Sequence, residues 1–158
     1  MTVITHARLR SNLSKMIDSP GGVSVGAALS QARANIEARR AEAMAMVEVQ
    51  IAALEAVAPP ASLEDQVFRL NEAYRAANAV IDAASPFELL DLCSAASGLC
   101  DLIDGAPTDR TFDWRIVTVH ARSLRLLQTL PLEETAARAT VLDSLKMVSD
   151  RKLPPKAT

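Results

Sequence analysis

Residues 62–84 read SLEDQVFRLNEAYRAANAVIDAA, and the spacing within this stretch decides the fold. Leu63, Val67, Leu70, Tyr74, Ala77, Ile81 and Ala84 recur at alternating steps of four and three. That spacing places side chains on one face of an α-helix, whereas a half-buried strand would alternate every second residue. Ser62-Leu63-Glu64-Asp65 opens the stretch as a capping-box-like signature, with a serine hydroxyl available to the first free amides. Three heptads of one apolar stripe predict a long amphipathic helix, and no segment of the chain alternates like a strand over a useful length.

Working outward, Pro59-Pro60 ends an earlier and longer helical pattern that Ser24 opens and that runs to about Val57. Its apolar positions are Val25, Leu29, Ala32, Ile36, Ala43, Val47, Ile51 and Leu54, interrupted at Arg39-Arg40. About 33 residues would span roughly 50 Å, too long for the bundle implied by the later helices. It therefore kinks or breaks near Arg39-Arg40, or its N-terminal half projects and packs on another subunit. Downstream, Ser85-Pro86-Phe87-Glu88 predicts the next helix start, with serine as cap, proline at the first position and glutamate at the third. That helix, ending near Asp104-Gly105, is apolar over a broad surface (Leu89, Leu92, Cys93, Ala96, Leu99, Cys100, Ile103), which implies a central place. Gly98 lies inside it at a cost of about 1 kcal/mol in helix propensity, which points to a close helix approach. Asp113 is expected to cap a helix through Leu130. Pro131 sits one turn into, or at the start of, a last one, with Glu133 and Glu134 in its first turn and Val141, Leu142, Leu145 and Val148 facing the core.

The fold class that follows is all-α, an antiparallel helical bundle with a four-helix core and a long N-terminal helix. Composition agrees. The 158 residues are 49% hydrophobic but only 3% aromatic, which suits packed alanine- and leucine-rich helices better than sheets. Residues 1–22 form a basic amphipathic segment in which Leu9, Leu13 and Met16 keep helical spacing beside Arg8, Arg10 and Lys15, and it ends at Ser19-Pro20-Gly21-Gly22. Residues 23–150 are the bundle, and 151–158 a mobile tail. No apolar run is long enough to span a bilayer and the N-terminus has no secretory signal, so a cytoplasmic protein is expected.

Chemistry is sparse. The net charge of −2 argues against nucleic acid as a partner. Residues 62–105 carry eight acids and two arginines (net −6), while 106–130 carry four arginines and two aspartates (net +2), either for pairing between neighbouring helices or as an acidic face. Cys93 and Cys100 are seven residues apart on one helix, about 10 Å, too far to bridge each other. With two histidines and no C-x-x-C spacing, no metal site and no cofactor are expected. Gly21-Gly22-Val23-Ser24-Val25-Gly26 lacks both the dinucleotide and P-loop spacings and reads as a turn and cap.

Two further features carry functional weight. In IVTVHARSLRLL, residues 116–127, His120 shares a helical face with Ile116, Val117, Leu124 and Leu127, whereas Arg115, Arg122 and Arg125 lie opposite. A buried neutral histidine with a hydrogen-bond partner is the better reading, with Ser94, Ser97 and the thiols of helix 85–104 as candidate partners. The alternative treats His120 as catalytic, since a bundle bearing a histidine resembles a histidine-phosphotransfer domain. In such domains a lysine follows three residues on and a glycine after it; here Ser123 and Leu124 stand instead. The arginine ridge is a docking face for an acidic partner or a solvated face.

Residues 19–37, SPGGVSVGAALSQARANIE, join a P-G-G turn to V-x-x-A-L-x-x-A-x-x-N-I-E. Together with SAASGLCDLID (94–104) and VHARSLRLL (119–127), they resemble the alphaproteobacterial chemotaxis accessory proteins of the CheE family. The resemblance covers most of the chain. It implies a helical, chemotaxis-associated signalling protein, supplies no established reaction and transfers no active-site residue. The reading is a nonenzymatic adaptor that docks signalling proteins, a receiver domain or kinase among them, through Arg115, Arg122 and Arg125 and through Arg8, Arg10 and Lys15. The alternatives are phosphotransfer through His120, or a structural homo-oligomer built on residues 24–57.

Overall fold

The computed structural model describes residues 23–152, and among them six α-helices and one short 3-10 turn account for all regular structure. The basic N-terminal segment with Arg8, Arg10 and Lys15, and the final residues 153–158, lie outside the described residues. The chain divides into two units, Met1–Glu37 and Ala38–Thr158.

In the first unit α1 spans Val25–Glu37, and Ser24 Oγ accepts the Ala27 amide at 3.2 Å as its cap. None of its residues is buried, and Val25, Leu29 and Ile36 are exposed. The long helix expected from Ser24 to Val57 is thus interrupted at Ala38-Arg39, where the apolar stripe breaks and two arginines stand in a row.

The second unit holds α2 (Arg40–Ala56), α3 (Leu63–Ala84), α4 (Leu90–Asp104), α5 (Arg115–Thr129) and α6 (Thr135–Lys152). Helix α2 packs on α3, α3 on α4 and α4 on α5, and α5 closes back on α2. These four enclose the core as a helical bundle, and α6 packs against α4 and α5. Helix α4 meets three neighbours, which accounts for its broad apolar surface. The core joins Val47, Ile51 and Leu54 of α2 to Ala77 and Val80 of α3, Leu92 and Leu99 of α4, Val117, Leu124 and Leu127 of α5, and Leu145 of α6.

Helix α3 starts as its sequence dictates. Ser62 Oγ accepts the Asp65 amide at 3.2 Å, and Asp65 Oδ2 accepts the Ala61 amide at 3.1 Å. Its buried face, however, is rotated from the expected stripe. Leu70, Ala77 and Ala84 are buried as expected, but the positions between them are Gln66, Ala73 and Val80, one residue before Val67, Tyr74 and Ile81. Small alanines let α2 and α4 approach the α3 backbone closely, so the alanine face goes inward and the bulkier stripe is left at the margin.

Two helix starts also differ from expectation. Ser85–Phe87 is a 3-10 turn ending at Glu88, whose φ of 56° is left-handed, and α4 begins only at Leu90. The proline fixes a turn here, and Glu88 reverses the chain so that Leu89 packs inward. Glu133 and Glu134 precede α6 instead of filling its first turn, since that helix begins at Thr135. At the other end α6 runs through Lys152, whose Nζ donates to Asp113 Oδ2 at 3.1 Å, so residues 151–152 belong to a helix and not to a tail.

Candidate functional site

His120 lies at the centre of α5 with no solvent exposure. Its Nδ1 is 2.8 Å from the Ile116 carbonyl oxygen, one turn back on the same helix. A carbonyl can only accept, so Nδ1 carries the proton and Nε2 is a bare acceptor. Nε2 has no hydrogen-bond partner. The expected burial is found, but the partner is the backbone of α5, not a serine or thiol of α4. Burial lowers the imidazole pKa, against a smaller opposing effect of the bond to Ile116. A phosphoryl donor must reach one ring nitrogen. Here one is engaged with the backbone and the other is sealed in the core.

Gly98 of α4 lies beside this ring. A Cβ placed there would stand 3.9 Å from His120 Nε2 and 3.9 Å from Ser149 Oγ. Gly98 therefore sits where α4 meets both α5 and α6. Those distances are ordinary contact, so the approach is close without requiring glycine.

The three arginines of α5 have different surroundings. Arg115 is exposed and its Nε donates to Asp113 Oδ1 at 2.9 Å. Asp113 also receives the Arg115 amide and Lys152, and these partners, Arg115 foremost, hold its carboxyl well below the usual carboxylate range. It anchors the start of α5 from one residue before the cap position, which Trp114 occupies. Arg125 reaches α2, where Nη2 donates to Glu55 Oε2 at 2.8 Å and Nη1 to Glu48 Oε1. The Arg125 guanidinium draws the Glu48 carboxyl below its ordinary value. The acids it engages lie on α2, outside the acidic stretch 62–105, so among the described residues the α5 arginines do not pair the two unevenly charged stretches with each other.

Arg122 is the exception. It is exposed and makes no ion pair or hydrogen bond among the described residues. It stands at the rim of a cavity of about 300 Å³ between α2 and α5, lined on the apolar side by Leu54, Val57, Trp114, Val117 and Ala121. Glu55, on the same rim, is already held by Arg125.

Two buried polar side chains escaped the sequence reading. Arg138 of α6 is 3% exposed; its Nε donates to Asp91 Oδ2 at 2.6 Å, and its Nη1 to the carbonyls of Leu127 at 2.7 Å and Leu130 at 2.8 Å. It therefore caps the C-terminus of α5 while tying α6 to α4. Gln66 of α3 is 2% exposed. Its Oε1 accepts the Phe112 amide at 2.7 Å, and its Nε2 donates to the carbonyls of Pro107 and Arg110, each at 3.2 Å. One amide thus fixes the loop between α4 and α5. Neither residue has a local signal, because each partner is decided by tertiary packing.

The remaining chemistry is quiet. Cys93 and Cys100 are free thiols, and burial pushes Cys100 up to about 11, so it stays protonated near neutrality. Among the described residues no group of His, Cys, Asp and Glu is placed to hold a metal ion, and no helix is long and apolar enough to cross a membrane. The chain matches no protein-family model, no curated protein and no solved structure.

Proposed function

We propose that this chain is a nonenzymatic helical adaptor that docks signalling proteins, associated with chemotaxis as its resemblance to the CheE proteins implies. The observation that carries this reading is Arg122, an exposed guanidinium without an ion pair among the described residues, beside a cavity with one apolar wall. An acidic partner with one apolar anchor, such as a receiver domain, suits that combination: the anchor fills the cavity and its carboxylate meets Arg122. Arg115 extends the same basic face, and Arg8, Arg10 and Lys15 supply a second one by sequence. Arg125 contributes by pairing with Glu48 and Glu55, the second of which shares the cavity rim with Arg122. The burial of His120 weighs against phosphotransfer.

Partners purified from the native cell should bind the full chain with an affinity that falls as salt rises. Arg122→Glu should weaken binding about tenfold, equivalent to roughly 1.4 kcal/mol. Unchanged, salt-insensitive binding by that variant would remove the basic face from consideration. A second reading, a homo-oligomer built on residues 24–57, is favoured by the uncovered apolar stripe of α1.

A further inference from the structure

Leu63 and Val67 present an apolar surface that the bundle does not cover; they are 42% and 68% exposed. Together with Tyr74 on the same stripe, and with Ile103 and Pro107 opposite, they line a groove of about 420 Å³ between α3, the end of α4 and the following loop. Exposed apolar side chains scattered singly need no explanation, but Leu63 and Val67 stand one turn apart on the rim of one groove, with the half-buried Tyr74 further along it. The wall opposite α3 is not free to collapse inward, because Gln66 holds Pro107, Arg110 and Phe112 in place.

The groove has one charge sign. Asp104 lines it, and Asp101 lies one turn earlier on α4. Neither carboxylate has a cationic partner among the described residues, whereas Asp65 and Glu72 share Arg69 and Asp91 holds Arg138. Both acids stand at the C-terminal end of α4, where free carbonyls already concentrate negative potential, and no basic residue occupies that last turn. A cation supplied from outside complements such an arrangement.

We infer that this groove seats a helix from a partner protein, with apolar residues at i, i+4 and i+7 and a lysine or arginine facing Asp101 and Asp104. The row from Leu63 to Tyr74 spans about 16 Å at 1.5 Å per residue, three turns of a docked helix. This surface is distinct from Arg122 and selects the opposite charge. It shares with the proposed function the premise that the chain docks proteins.

The test uses the full chain and two synthetic helical peptides, alike in their leucines at i, i+4 and i+7 but flanked by lysines in one and glutamates in the other. The lysine peptide should bind at least about tenfold more tightly. It should perturb the amide resonances of Leu63, Val67, Tyr74 and Ile103. Asp101→Asn with Asp104→Asn should erase the preference, and Val67→Glu, a change at an exposed site, should abolish binding while the fold is retained. Equal affinity for both peptides, or binding unaffected by Val67→Glu, overturns the inference. A large gain in affinity on deleting residues 1–18 also overturns it, by assigning the groove to the chain's own basic segment. Arg122→Glu should leave peptide binding intact, so loss of the acidic partner and loss of the peptide are read separately.

Discussion

At the scale of the residue, His120 is the most instructive position. A neutral imidazole with Nδ1 on a carbonyl and Nε2 unpartnered is stable only while uncharged. Its folded pKa lies below the ordinary value, so the unfolded chain binds the proton more readily than the folded one. Stability is accordingly full above the unfolded pKa of about 6.5 and declines as pH falls through it towards the lower folded value. Denaturant unfolding of the wild type should show that decline as pH falls below about 6.5. His120→Leu should flatten that part of the profile and be no less stable at pH 7, because it removes an unsatisfied acceptor worth about 1–3 kcal/mol. A variant that keeps the full acid slope would place the titrating group elsewhere.

At the scale of the element, the helices were legible and their faces only partly so. The cap at Ser62 and the stops at Pro59-Pro60 and Gly105 act through neighbours in sequence, so local chemistry exposes them. The phase of α3 is different. Leu70, Ala77 and Ala84 satisfy both possible stripes, and the choice between Val67 and Gln66 depends on what Gln66 meets, the Phe112 amide 46 residues away. A glutamine at an interior position cannot be read as core without knowing that its amide is satisfied. The same holds for Arg138, buried by its bonds to Asp91, Leu127 and Leu130. At Arg122 the sequence located the charge, but its lack of a partner depends on Arg125 engaging Glu55.

Helix α1 poses the matching question for an uncovered element. Thirteen residues with no buried side chain are marginal as an isolated helix in water. If Val25, Leu29 and Ile36 are covered by a second copy, light scattering should return a dimer or larger species that persists on dilution and is lost when residues 1–40 are deleted. A monomer at all concentrations would rule out that use of the stripe.

At the scale of the whole molecule, the bundle closes where α5 meets α2. Successive helices pair through connections of a few to about ten residues, but Arg125 contacts Glu55 and Glu48 across 70 and 77 positions of chain. Closing so long a loop is entropically dearer than forming the α3–α4 pair. The seam between the first and fourth bundle helices should therefore form after the rate-limiting step of folding. Arg125→Met should leave the refolding arm of the chevron within about twofold of wild type and speed unfolding severalfold. A slowed refolding arm with unchanged unfolding would place the seam in the nucleus instead. In that order of events the ion pairs at the seam would be a latch on the lifetime of the folded chain and not a guide to its assembly, with persistence set by the last contact made.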